Sequence, residues 1–542
     1  MDKVKMGKDL HCYLDLLTKS NKMYTFIKSQ LRYKIYKTCH RFVHTETNLK
    51  KKIKWLIPVG YETNIKIYNP ITKCNVPLIL KNKNILTWYV CGPTAYNSAH
   101  IGHAMSYMNL DIIRRILSDY FNINIVMAMC ITDIDDKIIK RSKELKQNYK
   151  DITKHYENEF IEDMQMLNIA KPHLYCRVTD YISQIIQFVQ GIIDNGNAYI
   201  SKDESVYFDT HKYAMYGKLM PPVSDSNHPD KKSSLDFCLW KKAKEGEPFW
   251  KSPWGPGRPG WHIECSTIAS TVFGNSVDIH SGGKDLIFPH HENEEAQSCS
   301  YHGVEQWVNY WMHCGHLSLE DVKMSKSLGN TISIREFLEK YTANHIRILC
   351  LLSNYKYDLK FSDIVMNNAV RILNKIQQFI YSCENYIIGN WDIANIDEVA
   401  LLRCLEETKS DVYTALADDF NTAKAMKSLL NLIDVGNNML HKHNKNTHGS
   451  CIPAIIAVSN YISTTFSKFG IFNPTTTDDQ RVNNLVEYFV KFRHTVRRRT
   501  LESDVKDKIL LEACDEARSD LSACGVTVKD HKMRSIWSIK KY

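Results

Sequence analysis

Four residues in the first part of the chain carry thiol, imidazole or carboxylate groups, which commonly bind Zn²⁺. They are Cys91, Cys265, His290 and Glu294. His290 and Glu294 are four residues apart, which places both on one face of a helix if Pro289 begins that helix. His291 and Glu295 have the same spacing, so spacing leaves the choice between the two pairs open. Because the cysteines are distant in sequence, spacing alone favours two core thiols beside an exposed His–Glu pair over a metal site.

Two short motifs carry groups that suit phosphate binding. His100 and His103 are three residues apart, so on the first turn of a helix both imidazoles lie near its positive end. Gly102 lacks a Cβ, which lets an adenine approach the backbone closely. Lys323 and Lys326 lie among small residues, on a loop that can move onto a polyphosphate and stabilise the charge of a departing pyrophosphate. Each motif alone is more often a polar turn, but together they predict an ATP site.

The composition is that of a modular globular protein. The 542 residues are too many for one core, which predicts about two to four domains. No apolar run approaches the roughly 20 residues needed to cross a bilayer. The 16 cysteines form no CxxC pair and the N-terminus has no secretory pattern, which predicts buried thiols in a reducing compartment. Residues 1–56 hold 14 Lys/Arg and 4 Asp/Glu, so the net charge of +10 comes from this segment.

The hydrophobic pattern predicts a Rossmann-like α/β core. Residues 87–90 and 123–131 are predicted strands, and His100 opens a predicted helix between them. This βαβ unit predicts a parallel sheet, which binds ligands at the carboxyl ends of its strands. Cys91 and Thr132 follow the two strands directly, so both are expected at that edge of the sheet.

Changes in composition and in hydrophobic periodicity along the chain predict four parts. They are a basic N-terminal extension (1–60), a catalytic domain (61–345) with an insertion at about 151–235, an α-helical bundle (346–480) and a small C-terminal module (481–542). The extension is expected to be a solvated appendage, with an RNA-binding arm or an organelle-targeting segment as alternatives.

Several runs resemble the motifs of the cysteinyl-tRNA synthetases, a family of class I aminoacyl-tRNA synthetases. They are residues 89–96, 100–103, 131–137, 258–265, 288–294 and 323–327, with Asn330. The runs follow the family's order, and the resemblance extends from about Ile65 to Trp537. It implies ATP-dependent ligation of L-cysteine to tRNA(Cys) through cysteinyl-adenylate, with release of AMP and diphosphate.

The resemblance also assigns roles to individual residues. The implied ligands of one Zn²⁺ per subunit are Cys91, Cys265, His290 and Glu294. The implied amino-acid pocket consists of Thr132, Trp261 and Asp285. The implied catalytic residues, acting on ATP with Mg²⁺, are His100, His103, Lys323 and Lys326, and Gly102 is implied to contact the nucleotide.

Other positions match the family or depart from it. Residues 418–422 resemble its helical-domain signature, and residues 514–521 resemble the C-terminal module, in its eukaryotic rather than its bacterial form. Met105 stands where an arginine is usual, Ala95 where a valine is usual and Cys314 where an asparagine is usual. None of these departures removes an implied ligand.

The helical bundle and the basic tail are the predicted tRNA-binding parts. Arg493, Arg497, Arg498 and Arg499 can meet backbone phosphates, and Trp537 can stack on an anticodon base, with a solvated charged face and core packing as the alternatives. Two other function classes compete: a ligase that joins cysteine to a small amine, and a non-catalytic, zinc-stabilised tRNA-binding protein. A cytoplasmic address is expected, with an organelle as the alternative.

Overall fold

The computed structural model describes residues 54–223, 230–319, 322–323, 331–389, 396–440, 451–471, 479–503, 505–530 and 535–539. All but the last seven residues of the predicted extension 1–60 lie outside these ranges. None of the described helices is long and apolar enough to cross a membrane.

The catalytic part alternates strands and helices. Its first elements are β1 (Tyr61–Asn69), β2 (Cys74–Leu80), β3 (Ile85–Val90), α1 (Ile101–Arg115), β4 (Asn124–Ile131), α2 (Asp136–Leu145), α3 (Tyr149–Met166), β5 (Leu174–Arg177) and α4 (Ile182–Asp194). The next are β6 (Ala198–Ile200), β7 (Val206–Phe208), β8 (Phe237–Lys242), β9 (Gly257–Pro259), α5 (Trp261–Phe273), β10 (Val277–Gly283), α6 (Glu292–His302), β11 (Val308–Cys314), β12 (Leu317–Leu319) and β13 (Val322–Lys323).

A parallel sheet lies at the centre of this part. Among the described residues it has five strands in the order β11-β10-β3-β4-β5, and each neighbouring pair is parallel. Trp88 and Tyr89 on adjacent positions of β3 are both fully buried, because apolar layers cover both faces of the sheet. The predicted βαβ unit is confirmed as β3, α1 and β4, so the carboxyl ends of these strands meet at one edge.

The predicted start of the insertion, at about residue 151, differs from the structure. Strand β5 pairs with β4 inside the parallel sheet, so residues 174–177 belong to the core of the domain. The separate part is a four-stranded antiparallel sheet, β6-β7-β8-β9, which ends only at Pro259. Strand β5 has only four residues, which is too short for its hydrophobic pattern to identify it as a strand. The Pro-rich stretch near residue 225 indicated an insertion, but it lies in the middle of the inserted region and does not mark its start.

The rest of the chain is mainly helical. It contains α7 (Ile334–Lys340), α8 (Ala343–Leu351), β14 (Leu359–Phe361), α9 (Asp363–Ile387), α10 (Glu398–Ala417), α11 (Thr422–Leu440) and α12 (Ile452–Lys468). A small C-terminal unit follows, made of α13 (Asp479–Glu502), α14 (Lys508–Ala523), β15 (Val526–Asp530) and β16 (Ser535–Ile539). Helices α9 to α12 pack on one another and on the catalytic part through one continuous apolar core.

Candidate metal and ATP site

The four predicted zinc ligands come together in the structure. Cys91 follows β3, Cys265 lies on α5, and Glu294 lies in the first turn of α6, just after His290. The two sulfur atoms are 3.9 Å apart, Glu294 Oε1 is 3.8 Å from Cys91 Sγ, and it is 3.0 Å from His290 Nε2. Ligand atoms around a tetrahedral zinc ion are about 3.3–3.8 Å apart, given bonds of about 2.0–2.3 Å. All four side chains are buried, and their chemistry and spacing fit Zn²⁺.

The structure distinguishes the two His–Glu pairs, His290/Glu294 and His291/Glu295, between which residue spacing could not choose. Glu295 faces away from the cysteines: its Oε1 is 2.6 Å from Lys218 Nζ, and its carboxylate accepts hydrogen bonds from two backbone N–H groups of the next segment. Glu295 is therefore not a ligand candidate. His291 stays close to the cluster, with Nε2 3.4 Å from Cys91 Sγ, and it forms an alternative ligand set with Cys91, His280 and Glu294.

The backbone becomes helical at Pro289, as predicted. Phe288 is extended, and it is the one residue of the turn 287–291 with a non-helical backbone. From Pro289 the helical backbone continues into α6, whose regular hydrogen-bonding pattern begins at Glu292. His290 and Glu294 are therefore one helical turn apart, and His290 Nε2 lies 3.0 Å from Glu294 Oε1.

Further histidines surround the cluster, and spacing gave no signal for them. His280 Nε2 lies 2.8 Å from Glu294 Oε2, and His262 Nδ1 lies 2.9 Å from His290 Nδ1. His291 Nδ1 lies 2.8 Å from His313 Nε2. Ligating histidines commonly use the second ring nitrogen in such a contact, which fixes the orientation of the ring. These histidines come from α5, β10 and β11, so only the fold brings them together.

The cluster combines one ionised carboxylate with neutral thiols. Burial raises the pKa of the Cys91 thiol to about 12. Burial also raises the pKa of Glu294, but the imidazoles of His280 and His290 outweigh this effect and hold the pKa at about 2. An ionised carboxylate thus lies beside neutral thiols, which would lose their protons when a metal ion binds.

The predicted amino-acid pocket borders this cluster. Trp261, at the start of α5, stacks on the His290 ring with 4.4 Å between the ring centroids. Thr132 follows β4 and is buried, with Oγ1 3.5 Å from Glu264 Oε2. Asp285 follows β10, and its Oδ1 is 3.0 Å from His316 Nε2. Two of the three residues therefore lie at carboxyl ends of sheet strands, and the third lies against a metal-ligand candidate.

The predicted ATP motif opens helix α1. His100 is the N-cap, and its Nδ1 accepts a hydrogen bond of 3.1 Å from Gly102 N. His103 Nδ1 accepts a reciprocal hydrogen bond of 3.2 Å from His100 N, and the two rings stack with centroids 3.8 Å apart. Both imidazoles are thus fixed at the positive end of the helix dipole, where an anion is favoured.

The lysine motif is described only in part. Lys323 ends β13, and Lys326 lies outside the described residues. The chain is described again from Thr331, and there Ile332 O accepts a hydrogen bond of 3.0 Å from Ile101 N. The chain that follows the lysine motif therefore lies against the first residue of α1, next to His100.

The three departures from the family pattern are packing residues. Met105, Ala95 and Cys314 are all buried in the apolar core of the catalytic part. Met105 is 2% exposed, so its side chain lies within this core.

The predicted tRNA contacts of the tail divide into two groups. Arg493 is 2% exposed and donates to both carboxylate oxygens of Asp530, at 2.7 and 3.1 Å, and to the Cys514 carbonyl. Its predicted role as a phosphate contact is therefore wrong. Trp537 packs against the small core of this module and donates to Glu487, as the packing alternative predicted. Arg497 is half-buried and pairs with Asp515, whereas Arg498 and Arg499 are exposed.

Comparisons with known proteins agree with this geometry. Residues 78–371 match the family model described as the class I (C) tRNA synthetase catalytic domain. The chain is 42% identical to a probable mitochondrial cysteine–tRNA ligase of Xenopus tropicalis, over 90% of this chain and 91% of that protein. This chain belongs to the cysteinyl-tRNA synthetases. As members of this family have ligase activity, the protein is a cysteine–tRNA ligase that aminoacylates tRNA with cysteine.

Other relatives and solved structures are more distant. The synthetase is 38% identical to a cytoplasmic cysteine–tRNA ligase of Dictyostelium discoideum, over 88% of this chain and 78% of that protein. It is 37% identical to a cysteine–tRNA ligase of Thermococcus onnurineus, over 87% of this chain and 98% of that protein. Among solved structures, methionyl-tRNA synthetase of Mycobacterium tuberculosis with methionyl-adenylate matches with a TM-score of 0.54 at 15% identity, over 71% of this chain and 89% of that one. This likeness confirms the class I synthetase fold.

Proposed function

We propose that the enzyme forms cysteinyl-adenylate from L-cysteine and ATP, transfers the cysteinyl group to tRNA(Cys), and recognises cysteine through one Zn²⁺ per subunit. The observation that carries this proposal is the contact between the metal-ligand cluster and the amino-acid pocket. The Trp261 ring stacks on His290, whose Nε2 lies 3.0 Å from Glu294. A substrate side chain beside Trp261 would therefore reach the cluster.

The pocket must distinguish cysteine from serine, which differs by one atom. Differences in shape between such small groups are worth only about 1–3 kcal/mol. When bound by Cys91, Cys265, His290 and Glu294, Zn²⁺ supplies a soft Lewis acid that prefers a thiolate to a hydroxyl. The protein residues orient the rest of the substrate: Asp285 attracts its ammonium group, and Thr132 and Trp261 border its carbon atoms.

Adenylate formation takes place at the start of α1. A cysteine carboxylate oxygen attacks the α-phosphorus of ATP, and the bond from that phosphorus to the bridging oxygen breaks as pyrophosphate leaves. His100 and His103 stabilise the charge on the phosphoryl oxygens, because the N-cap hydrogen bonds fix both rings before substrate binds. Lys323 and Lys326, which precede in sequence the residues that contact the start of this helix, act on the departing phosphates, which bind as a Mg²⁺ complex.

In the second step, a ribose hydroxyl at the 3′ end of the tRNA attacks the cysteinyl carbonyl and AMP leaves. No side chain is assigned as a base for this transfer. We propose that the helical bundle and C-terminal module hold the tRNA, with Arg498 and Arg499 as exposed phosphate contacts. We also propose a cytoplasmic address, although the curated relatives include both cytoplasmic and mitochondrial enzymes.

Aminoacylation of total tRNA with labelled cysteine, together with metal analysis of the same sample, tests the proposal. We expect cysteine-dependent exchange of pyrophosphate into ATP, charging of one tRNA species, and about one zinc ion per chain. Exchange without charging would instead indicate ligation of cysteine to a small amine. Zinc and tRNA binding without exchange would indicate a non-catalytic tRNA-binding protein.

A further inference from the structure

The residues in the first turn of α6 face two different sets of partners. Glu294 faces Cys91 and His280, as described above. Glu292, on another side, accepts three backbone hydrogen bonds from residues 217–219: Oε1 accepts from Gly217 N at 2.7 Å and Lys218 N at 3.0 Å, and Oε2 accepts from Leu219 N at 2.6 Å. Glu292 is 1% exposed, so these bonds replace its contacts with water.

The neighbours of Glu292 bind the same segment. Asn293 Oδ1 accepts a hydrogen bond of 2.6 Å from Tyr216 OH. Lys218 Nζ donates to Glu295 Oε1 at 2.6 Å and to the Glu305 carbonyl at 3.0 Å. The side chains of Lys218 and Glu295 are each 1% exposed. Residues 216–219 thus bind three of the four residues in this turn, and the fourth is the metal-ligand candidate.

We propose that residues 216–219 form a clamp that positions the first turn of α6, and with it Glu294 and His290, for metal binding. Glu292, Glu295 and Lys218 are then positioning residues, which act through the metal ligands and do not touch the substrate. This inference rests on the proposed zinc site and adds the part of the chain that holds it in place. The clamp joins the inserted region, which contributes residues 216–219, to the helix that carries the ligand.

Metal binding makes such a clamp necessary. Ligand atoms must stay within about 0.2 Å of their proper distances, whereas the first turn of a helix has N–H groups without intrahelical partners and frays readily. The backbone of Phe288 is extended, so His290 has only one helical residue, Pro289, on its N-terminal side to hold it. Six hydrogen bonds from residues 216–219 to residues 292–295 and 305 supply this rigidity from a distant segment.

Two variants of the full-length enzyme loosen the clamp without touching a ligand. In Lys218→Met with Glu295→Gln, both charges are removed together, so neither is left unpaired, and the glutamine oxygen keeps one of the two backbone hydrogen bonds that Glu295 accepts. In Glu292→Gln, the amide oxygen keeps two of the three bonds, and its NH₂ group opposes the N–H of Leu219. The control is Arg347→Met with Asp111→Asn, which removes a buried ion pair of 2.6 Å that makes no described hydrogen bond to a ligand candidate or to residues 216–219.

The measurement is the rate of zinc release to an excess of a coloured chelator, well below the thermal midpoint of each variant. Changes in residues that orient metal ligands typically cost 10–100-fold in affinity. We therefore expect release about tenfold faster or more for both clamp variants, and release at the wild-type rate for the control. Wild-type release from both clamp variants would overturn the clamp, as would equally fast release from the control. A wild-type enzyme purified without zinc would instead refute the zinc site of the proposed function.

Discussion

Gly102→Ala tests whether the position of the His100 ring controls adenylate formation. A Cβ at residue 102 would lie 2.9 Å from both Cε1 and Nδ1 of the His100 ring. Good contact between carbon atoms begins at about 3.5 Å, so the ring must move by about 0.6 Å. That movement stretches or breaks the hydrogen bond from Gly102 N to His100 Nδ1. The ring stacked on it, that of His103, loses its partner at the same time.

Activity and stability should respond differently. Misplacement of a catalytic group by 1 Å can cost about 100-fold in rate, so a movement of 0.6 Å predicts a loss of about 10–20-fold. Stability should change little, because alanine favours a helix by about 0.8–1.0 kcal/mol over glycine, while the lost hydrogen bond costs about 0.5–1.5 kcal/mol. These two contributions to the free energy of unfolding are opposite in sign and similar in size.

The assay is cysteine-dependent exchange of pyrophosphate into ATP, together with the thermal midpoint. The matched control is Ser106→Ala on the same helix, since Ser106 Oγ donates only to the Gly102 carbonyl in the described contacts and lies one turn further from the motif. We expect the control to keep its exchange rate. An exchange rate of Gly102→Ala equal to wild type would refute the reasoning, because the ring position would then not matter.

Three further predictions follow from the site and from the core. Lys326→Ala should slow pyrophosphate exchange about 100-fold or more while cysteine affinity is largely kept, and a loss of affinity at full turnover would contradict its role. Cys265→Ser should lower the zinc content and narrow the preference for cysteine over serine; unchanged metal stoichiometry would rule out this ligand. Arg347→Met removes the partner at 2.6 Å from buried Asp111 and leaves Arg115 Nε at 2.8 Å, so the loss of stability at pH 7 should stay below the roughly 3–5 kcal/mol of a fully unpaired buried charge. Although burial alone raises the pKa of Asp111, Arg347 and Arg115 lower it overall, so the stabilisation by this carboxylate is present above its unfolded pKa and is lost as pH falls through the folded pKa. The variant should therefore approach wild-type thermal stability as the pH falls below about 4, the ordinary pKa of an aspartate, and a difference that stays constant from pH 7 to well below pH 4 would contradict this assignment.

The sequence predicted those elements whose pattern is local. Strands β3 and β4 are continuous apolar runs, and α1 begins at a motif with an N-cap side chain, so all three were placed within a few residues. The four ligand candidates were also identified, but through the resemblance to a family. Residue spacing alone favoured two core thiols and could not separate Glu294 from Glu295.

Contacts between distant residues decided what the sequence left open. Glu295 is excluded as a ligand by Lys218, which lies 77 residues earlier. Arg493 belongs to a run of basic residues that suggested a phosphate contact, and Asp530, 37 residues later, makes it an internal ion pair instead. His280 joins the cluster because β10 lies beside β3 in the sheet. Each of these side chains takes its role from a partner in another element, which no local pattern reveals.

Residues 418–422, the helical-domain signature, also take their role from partners in other elements, where the helical bundle meets the catalytic part. Asp419 and Phe420 have φ values of 57° and 53°, a left-handed backbone that costs roughly 1–2 kcal/mol for each such residue. The Asp419 carboxylate accepts hydrogen bonds from Tyr68 N at 2.8 Å and Tyr355 OH at 2.9 Å, and it pairs with Lys356. A buried carboxylate with a backbone N–H, a hydroxyl and an ammonium group as partners can offset this strain. Residues 418–422 therefore join the bundle to β1 and to the segment before β14, a structural role that accounts for the signature.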